Sequence, residues 1–284
     1  MSAFTKIGVI GAGTMGNGIA QACAVAGLDV VMVDVADEAV TRGLATVGAS
    51  LDRLLKKDKI TAADKNAALA RIKGTTRYED LEGCDLVIEA ATENEELKVR
   101  ILKKIDELAR SEVVLATNTS SISITRLAAA TSRPDKFIGM HFFNPVPMMS
   151  LVEVIRGHLT ADATVDAVAA FAKSLGKTPI VVRNSPGFVV NRILCPMLNE
   201  AILALQEGLA TAEDIDNGMK LGCGHPIGPL ALCDMVGLDV LLAVMEVFYR
   251  DFNDPKYRPA LLLKEMVAAG HIGRKSGRGF YTYA

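Results

Sequence analysis

The sequence predicts an α/β protein in which a doubly wound, mostly parallel sheet with a helical-hairpin insertion is followed by an all-helical C-terminal domain. Three observations predict it. Short β-branched runs alternate with amphipathic stretches up to about residue 183. A glycine cluster joins the first such run to the first helical stretch. Beyond Asn184-Ser185-Pro186-Gly187 the apolar residues recur only at helical spacing.

Taken in order, Lys6–Ile10 reads as a strand that runs into the glycines Gly11, Gly13 and Gly16. Ile19–Val25 reads as the helix behind them, stopped by Gly27, and Asp29–Asp34 as the next strand. This is a βαβ unit of ordinary length. From Asp37 to about Lys73 the pattern is helical and strongly charged, and Thr61-Ala-Ala-Asp64 has capping-box spacing, so a second helix starts there. Strand-like runs return at Asp85–Glu89, Val113–Thr117, Phe137–His141, Leu151–Ile155 and Pro179–Arg183. The texture then changes. Val190, Ile193, Leu194, Met197, Leu198, Ala201, Ile202 and Leu205 fall on one helical face, Thr211-Ala-Glu-Asp214 is another capping box, and Pro229 and Pro259 mark further helix starts. The expected domains are therefore 1–185 and 186–284.

The composition removes several classes of function. A formal net charge of −2 offers no broad attraction to nucleic acid or to an anionic membrane, and no apolar run is long enough to span one. The five cysteines form no CxxC pair and read as buried small hydrophobes of a reducing compartment. The four histidines are too scattered for a structural zinc site, so no metal is expected. A strand already begun by Ile7 leaves no room for a signal peptide, and the cytoplasm is the simplest address.

Gly11-Ala12-Gly13-Thr14-Met15-Gly16 matches G-x-G-x-x-G between a strand and a helix, the context that a Rossmann-type dinucleotide site requires. The first glycine permits the tight turn, the second lets the backbone approach a pyrophosphate, and the third lets helix and strand pack closely. Asp34 ends the following strand, where a carboxylate accepts bonds from ribose hydroxyls and repels a 2′-phosphate. NAD is therefore the expected cofactor.

A second constellation lies further on. His141 and Glu153 occupy consecutive strand-like segments joined by Phe142-Phe-Asn-Pro-Val-Pro, and a turn there brings imidazole and carboxylate together. A carboxylate fixes the tautomer of a histidine and stabilises its imidazolium, which suits a base that must take a hydroxyl proton as hydride leaves carbon. Asn118-Thr119-Ser120-Ser121 directly follows a strand, where open α/β sheets bind ligands. Ser121 or Ser123 reads as the cap of the helix starting near Ile124. Asn191 interrupts the apolar pattern at the start of the first C-terminal helix, where an amide either satisfies backbone or faces a ligand.

The loop GAGTMG, the segments NTSSISIT, HFFNPVP and NSPGFVVNR, and the terminal GRKSGRGFYTY together resemble the L-3-hydroxyacyl-CoA dehydrogenase family over essentially the whole chain. The resemblance implies interconversion of (S)-3-hydroxyacyl-CoA and 3-ketoacyl-CoA with NAD, with short-chain bacterial members the nearest in pattern, and a homodimer formed through the helical domain. It assigns His141 as base, Glu153 as its partner, and Ser120 and Asn191 to the reacting oxygen of the substrate. Gly11, Gly13, Thr14, Met15, Gly16 and Asp34 fall to the cofactor, together with Glu93, Lys98, Asn118, Ser120, Asn144 and Lys275. Ser50 and Lys57 match positions that contact the CoA moiety. Their seven-residue separation puts them on one helical face, with Arg53 and Lys56 adding positive charge for a nucleotide phosphate; a solvated charged face explains the same run. Two other readings stay open on the residues alone: a dehydrogenase of a free hydroxy acid or sugar acid, and a non-catalytic NAD-binding protein of the same fold.

Overall fold

The computed structural model describes residues 4–283, which divide into two compact units at Ser185 and Pro186. The N-terminal unit is built on one eight-stranded sheet of order β3-β2-β1-β4-β5-β6-β7-β8. Its elements in chain order are β1 (Lys6–Ile10), α1 (Thr14–Val25), β2 (Asp29–Val33), α2 (Asp37–Leu55), α3 (Ala62–Ala70), β3 (Ile72–Thr75), β4 (Leu86–Glu89), α4 (Glu95–Leu108), β5 (Val114–Thr117), α5 (Ile124–Ala128), β6 (Phe137–Phe142), β7 (Leu151–Arg156), α6 (Asp162–Ser174) and β8 (Thr178–Arg183). All neighbours pair in parallel except β6 and β7.

The central strands are buried from end to end, as expected where helices cover both faces of a parallel sheet. Ile7, Val9, Ile88, Ala116, Ile138 and Met140 from the sheet pack with Ile19, Ala20 and Cys23 of α1 in the main core. Strand order reverses direction between β1 and β4. The carboxyl ends of the strands at such a switch point are where ligands of open α/β sheets bind.

The hairpin insertion is the β2–β3 crossover enlarged to two helices. Thr61 caps α3 through a complete capping box with Asp64. The sequence reading differs from the structure on three points here. The strand β3 begins inside the stretch read as helical and is absent from the sequence reading, because Ile72-Lys-Gly-Thr75 buries only Ile72 and takes its strand character from pairing with β2. α2 stops at Leu55, so Lys57 lies beyond it in the turn toward α3, and the shared helical face with Ser50 does not extend to it. Cys223 is exposed, unlike the four buried cysteines.

The C-terminal unit consists of α7 (Val190–Gln206), α8 (Ala212–Cys223), α9 (Pro229–Val236), α10 (Leu238–Phe252) and α11 (Leu261–Ala268) around its own apolar core of Leu198, Ile202, Leu230, Leu241, Met245 and Phe248. Two buried aspartates tie it together. Asp216 accepts from the amides of Leu230 and Ala231 at the start of α9 and from the Tyr281 hydroxyl at 2.9 Å. Asp234 accepts from the Phe280 and Tyr281 amides and the Tyr283 hydroxyl. The terminal Gly-Phe-Tyr-Thr-Tyr motif is thus a clasp on this unit, and a Cβ at Gly279 would lie 1.9 Å from the Asp234 carboxylate. Among the described residues no helix is long and apolar enough to cross a membrane.

Candidate active site

The glycine loop sits at the carboxyl end of β1. Gly11 adopts φ +98°, where a side chain would also meet the Ala90 carbonyl. A Cβ on Gly16 would stand 1.7 Å from the Gly11 carbonyl oxygen, so only glycine lets α1 start this close to the loop. Gly13 has open space where its Cβ would be. No side chain caps α1, which leaves the first-turn amides around Thr14 and Met15 without a side-chain acceptor. An open backbone approach and an uncapped helix N-terminus are what a pyrophosphate needs. Asn17 holds the loop from below, its amide donating to the Gly13 carbonyl at 2.7 Å.

Asp34 lies just past β2. Its Oδ2 accepts from the Ala12 amide and its Oδ1 from the Val35 amide, each at 2.7 Å. The carboxylate is thereby locked against the glycine loop and keeps lone pairs for ribose hydroxyls. These residues fit the adenosine and pyrophosphate of NAD.

His141 and Glu153 face each other directly in the antiparallel register of β6 and β7. His141 Nδ1 lies 2.7 Å from Glu153 Oε2, and both residues are buried. A carboxylate only accepts, so Nδ1 is the donor and Nε2 the basic nitrogen of the ring. Phe143 packs its ring against the imidazole with centroids 4.5 Å apart.

The loops after β4 and β5 carry the remaining N-terminal candidates. Asn118 accepts from the Phe142 amide at 2.9 Å and so ties the end of β5 to the end of β6. Ser120 is half-buried in a turn whose amides and hydroxyls converge on Glu93. Ser123, not Ser121, caps α5. Lys98 is sealed in the interior, its ammonium held by both oxygens of Glu89, the Ala91 carbonyl and Glu93. Its position supports the loop and offers no exposed ammonium to a ligand. Asn144 is exposed at the start of the β6–β7 loop. Ser50 is half-buried on α2 and Lys57 is exposed. Asn191 and Lys275 belong to the C-terminal unit. The first is half-buried in the opening turn of α7, and the second pairs with Asp239 at 2.7 Å.

The sequence reading missed Glu89, Thr117 and Asn17. Glu89 carries a legible signal, a carboxylate inside the run Leu86–Ala91 that is otherwise wholly apolar. Among the described residues no group of histidine, cysteine and carboxylate side chains could hold a metal ion.

Comparison with known proteins agrees with this geometry. Residues 6–185 match the model of the 3-hydroxyacyl-CoA dehydrogenase NAD-binding domain, and residues 187–283 match that of the 3-hydroxyacyl-CoA dehydrogenase C-terminal domain. The chain is 53% identical over 278 residues to a probable 3-hydroxybutyryl-CoA dehydrogenase of Deinococcus radiodurans, covering 98% of this chain and all of that one. It is 51% identical to the 3-hydroxybutyryl-CoA dehydrogenase of Clostridioides difficile, covering 98% of this chain and 99% of the relative. The crystal structure of (S)-3-hydroxybutyryl-CoA dehydrogenase from Ralstonia eutropha superposes with a TM-score of 0.98 at 68% identity, covering 99% of this chain and 100% of that one. The chain belongs to the 3-hydroxyacyl-CoA dehydrogenase family and is an NAD-dependent oxidoreductase.

Proposed function

We propose that the protein interconverts (S)-3-hydroxybutyryl-CoA and acetoacetyl-CoA, with His141 as the acid–base group and Glu153 as its partner. The observation that carries this reading is the buried 2.7 Å contact between His141 Nδ1 and Glu153 Oε2 on adjacent strands. In the oxidative direction, Nε2 of His141 takes the proton of the C3 hydroxyl, and the carboxylate of Glu153 stabilises the imidazolium that forms. Bound NAD supplies the acceptor for the hydrogen that leaves C3 with its electron pair. In the reductive direction His141 returns the proton to the ketone oxygen, which Ser120 and Asn191 polarise.

The cofactor is held by Gly11, Gly13, Thr14, Met15 and Gly16 at its pyrophosphate and by Asp34 at its ribose. Glu93, Asn118, Asn144 and Lys275 add contacts, and Lys98, sealed in the interior, shapes the loop beside the cofactor. Ser50 and Lys57 contact the CoA moiety. The C4 acyl group is supported by the names of the similar proteins. A second copy docks on the C-terminal helices, a reading supported by the exposed Ile193, Leu221, Val240 and Tyr249 of α7, α8 and α10.

Steady-state oxidation of NADH with acetoacetyl-CoA, with longer 3-ketoacyl-CoA esters and with free acetoacetate tests the substrate. A kcat/KM for acetoacetyl-CoA above all the others is expected. A preference for free acetoacetate would overturn the CoA assignment and leave Ser50 and Lys57 as solvated surface.

A further inference from the structure

Behind the Ser120 turn lies a buried run of alternating charges whose innermost member, Glu89, has no part in the mechanism above. Glu89 ends β4 with 0% of its surface exposed, and Lys98 on α4 has 1%. Two oppositely charged side chains at that depth require nearly complete hydrogen bonding. Glu89 achieves it. Its Oε1 accepts from the Ala91 amide at 2.6 Å and from Lys98 Nζ at 2.7 Å. Its Oε2 accepts from the Thr117 hydroxyl at 2.6 Å and again from Lys98 at 3.0 Å.

The ammonium continues outward. Lys98 Nζ lies 3.5 Å from Glu93 Oε2. The other oxygen of Glu93 gathers the turn after β5, accepting from the Ser120 amide at 2.9 Å, the Ser121 amide at 3.2 Å, the Ser121 hydroxyl at 3.1 Å and the Thr119 hydroxyl. Two carboxylates therefore divide one buried ammonium, and the share that Glu89 takes decides how hard Lys98 pulls on Glu93. We propose that Glu89 is a positioning residue that sets the Ser120 turn through Lys98 and Glu93. Its link to turnover rests on the role given to Ser120 above, whereas its link to the turn does not.

The mechanism predicts an unusual response. With Gln at position 89, an amide replaces the carboxylate, and its NH2 donates where Lys98 also donates, because Lys98 reaches both oxygens of Glu89. Lys98 is then left with Glu93 as its sole anionic partner, draws that carboxylate inward, and Glu93 releases the amides of Ser120 and Ser121. Removing the ammonium as well relieves the pull. The double variant Glu89→Gln/Lys98→Met should hold the turn better than the single one.

Amide hydrogen exchange on the full-length chain, read at Ser120 and Ser121 and at the central strands, separates this from general destabilisation. In Glu89→Gln, exchange at Ser120 and Ser121 is expected to rise about tenfold while that of the central amides of β4 and β6 stays within about threefold. In the double variant the turn should return to within about threefold of wild type. Thr117→Val, which removes a single donor to Glu89 and keeps the side-chain shape, should move the turn in the same direction by a smaller factor, and it serves if the single Gln variant does not fold. An unchanged turn in Glu89→Gln and Thr117→Val, or a double variant no better protected than the single, overturns the proposal. kcat with acetoacetyl-CoA is read in parallel, with Kd for NADH. Loss of kcat that follows turn opening and recovers in the double variant supports both links. An opened turn with unchanged kcat supports the action of Glu89 on the turn and overturns the role of Ser120.

Discussion

Replacing Glu153 by Gln removes one charge and almost no volume from the buried end of the candidate acid–base pair. In the native site the imidazole donates to Glu153 across 2.7 Å, with Glu153 wholly inaccessible to solvent. A hydrogen bond to a charged group is worth about 1.5–3 kcal/mol net. The portion gained when the ring becomes charged lowers the barrier directly; at about 1.36 kcal/mol per decade the whole bond corresponds to roughly 10–150-fold in kcat, which bounds that loss from above. A larger loss follows if the Gln amide turns its NH2 toward the ring. Nδ1 must then accept, Nε2 carries the proton, and no lone pair faces the hydroxyl. A comparable loss of tautomer control in serine-protease triads costs about 10⁴.

The assay is steady-state NADH oxidation with acetoacetyl-CoA, with Kd for NADH measured by fluorescence and the thermal midpoint by calorimetry. Loss of kcat with a Kd for NADH within about threefold of wild type is the expected pattern for a group that acts in the transition state. A Glu153→Gln enzyme that keeps kcat within about threefold at full folding would refute the reasoning, because a buried charge beside the base would then contribute nothing to proton transfer.

Four further outcomes follow from the geometry. His141→Gln should lower kcat by about 10²–10⁴ while NADH still binds in equilibrium dialysis; an active variant would remove His141 from the mechanism. Gly13→Ala and Gly16→Ala should separate, since the first has open space and the second a backbone oxygen at 1.7 Å. Gly13→Ala keeps its thermal midpoint and loses NADH affinity, whereas Gly16→Ala drops the midpoint by roughly 6–12 °C, equivalent to about 3 kcal/mol. Asp85 resists the cost of partial burial through bonds from the Thr5 and Lys6 amides, the Thr5 hydroxyl and Arg110, which hold its carboxyl below the usual range. A depressed carboxylate stabilises the fold above its unfolded pKa and ceases to as pH falls through the folded one. Asp85→Asn should therefore destabilise by about 1 kcal/mol in neutral urea melts, with the difference from wild type shrinking as the pH falls below the ordinary carboxylate range and through the depressed folded value. Native alkylation should label Cys223 alone, because burial pushes the thiols of Cys23 and Cys195 up to about 12 and that of Cys84 to about 11.

The parts of the fold legible in the sequence were those whose local pattern and tertiary role coincide. β1, its glycine loop and α1 carry a strand, a turn and a helix in the residues themselves, and Asp34 follows at the distance that one crossover imposes. His141 and Glu153 were legible for a similar reason, since two short strands joined by a brief loop leave few registers and the observed one pairs them directly. β3 was not, because a four-residue edge strand containing Lys73 and Gly74 has little pattern of its own. The end of α2 was not either. Polar residues continue past Leu55 without a break, and the turn that includes Asp58 at φ 52° leaves no breaker residue in the sequence. Glu89 stands out as a lone carboxylate in an apolar run, but only the arrival of Thr117 from β5 and Lys98 from α4 shows what satisfies it.

The two halves of the candidate site are held by different means, and this predicts where each is vulnerable. His141 and Glu153 face each other because β7 runs antiparallel to β6, so backbone pairing on both sides fixes their separation. A side-chain replacement there changes chemistry and leaves the frame in place. Ser120 has no such frame. Its turn lies beyond the end of β5 and is held by a carboxylate that is itself held by a shared ammonium. Each link in that run is a side chain, and a half-satisfied buried network is worse than none. Conservative changes at Glu89, Glu93 or Lys98 should therefore displace the Ser120 turn more than equally conservative changes at Glu153 displace His141. Crystal structures of Glu89→Gln and Glu153→Gln decide the point: a shifted imidazole with an unmoved serine turn would reverse the assignment of frame and network.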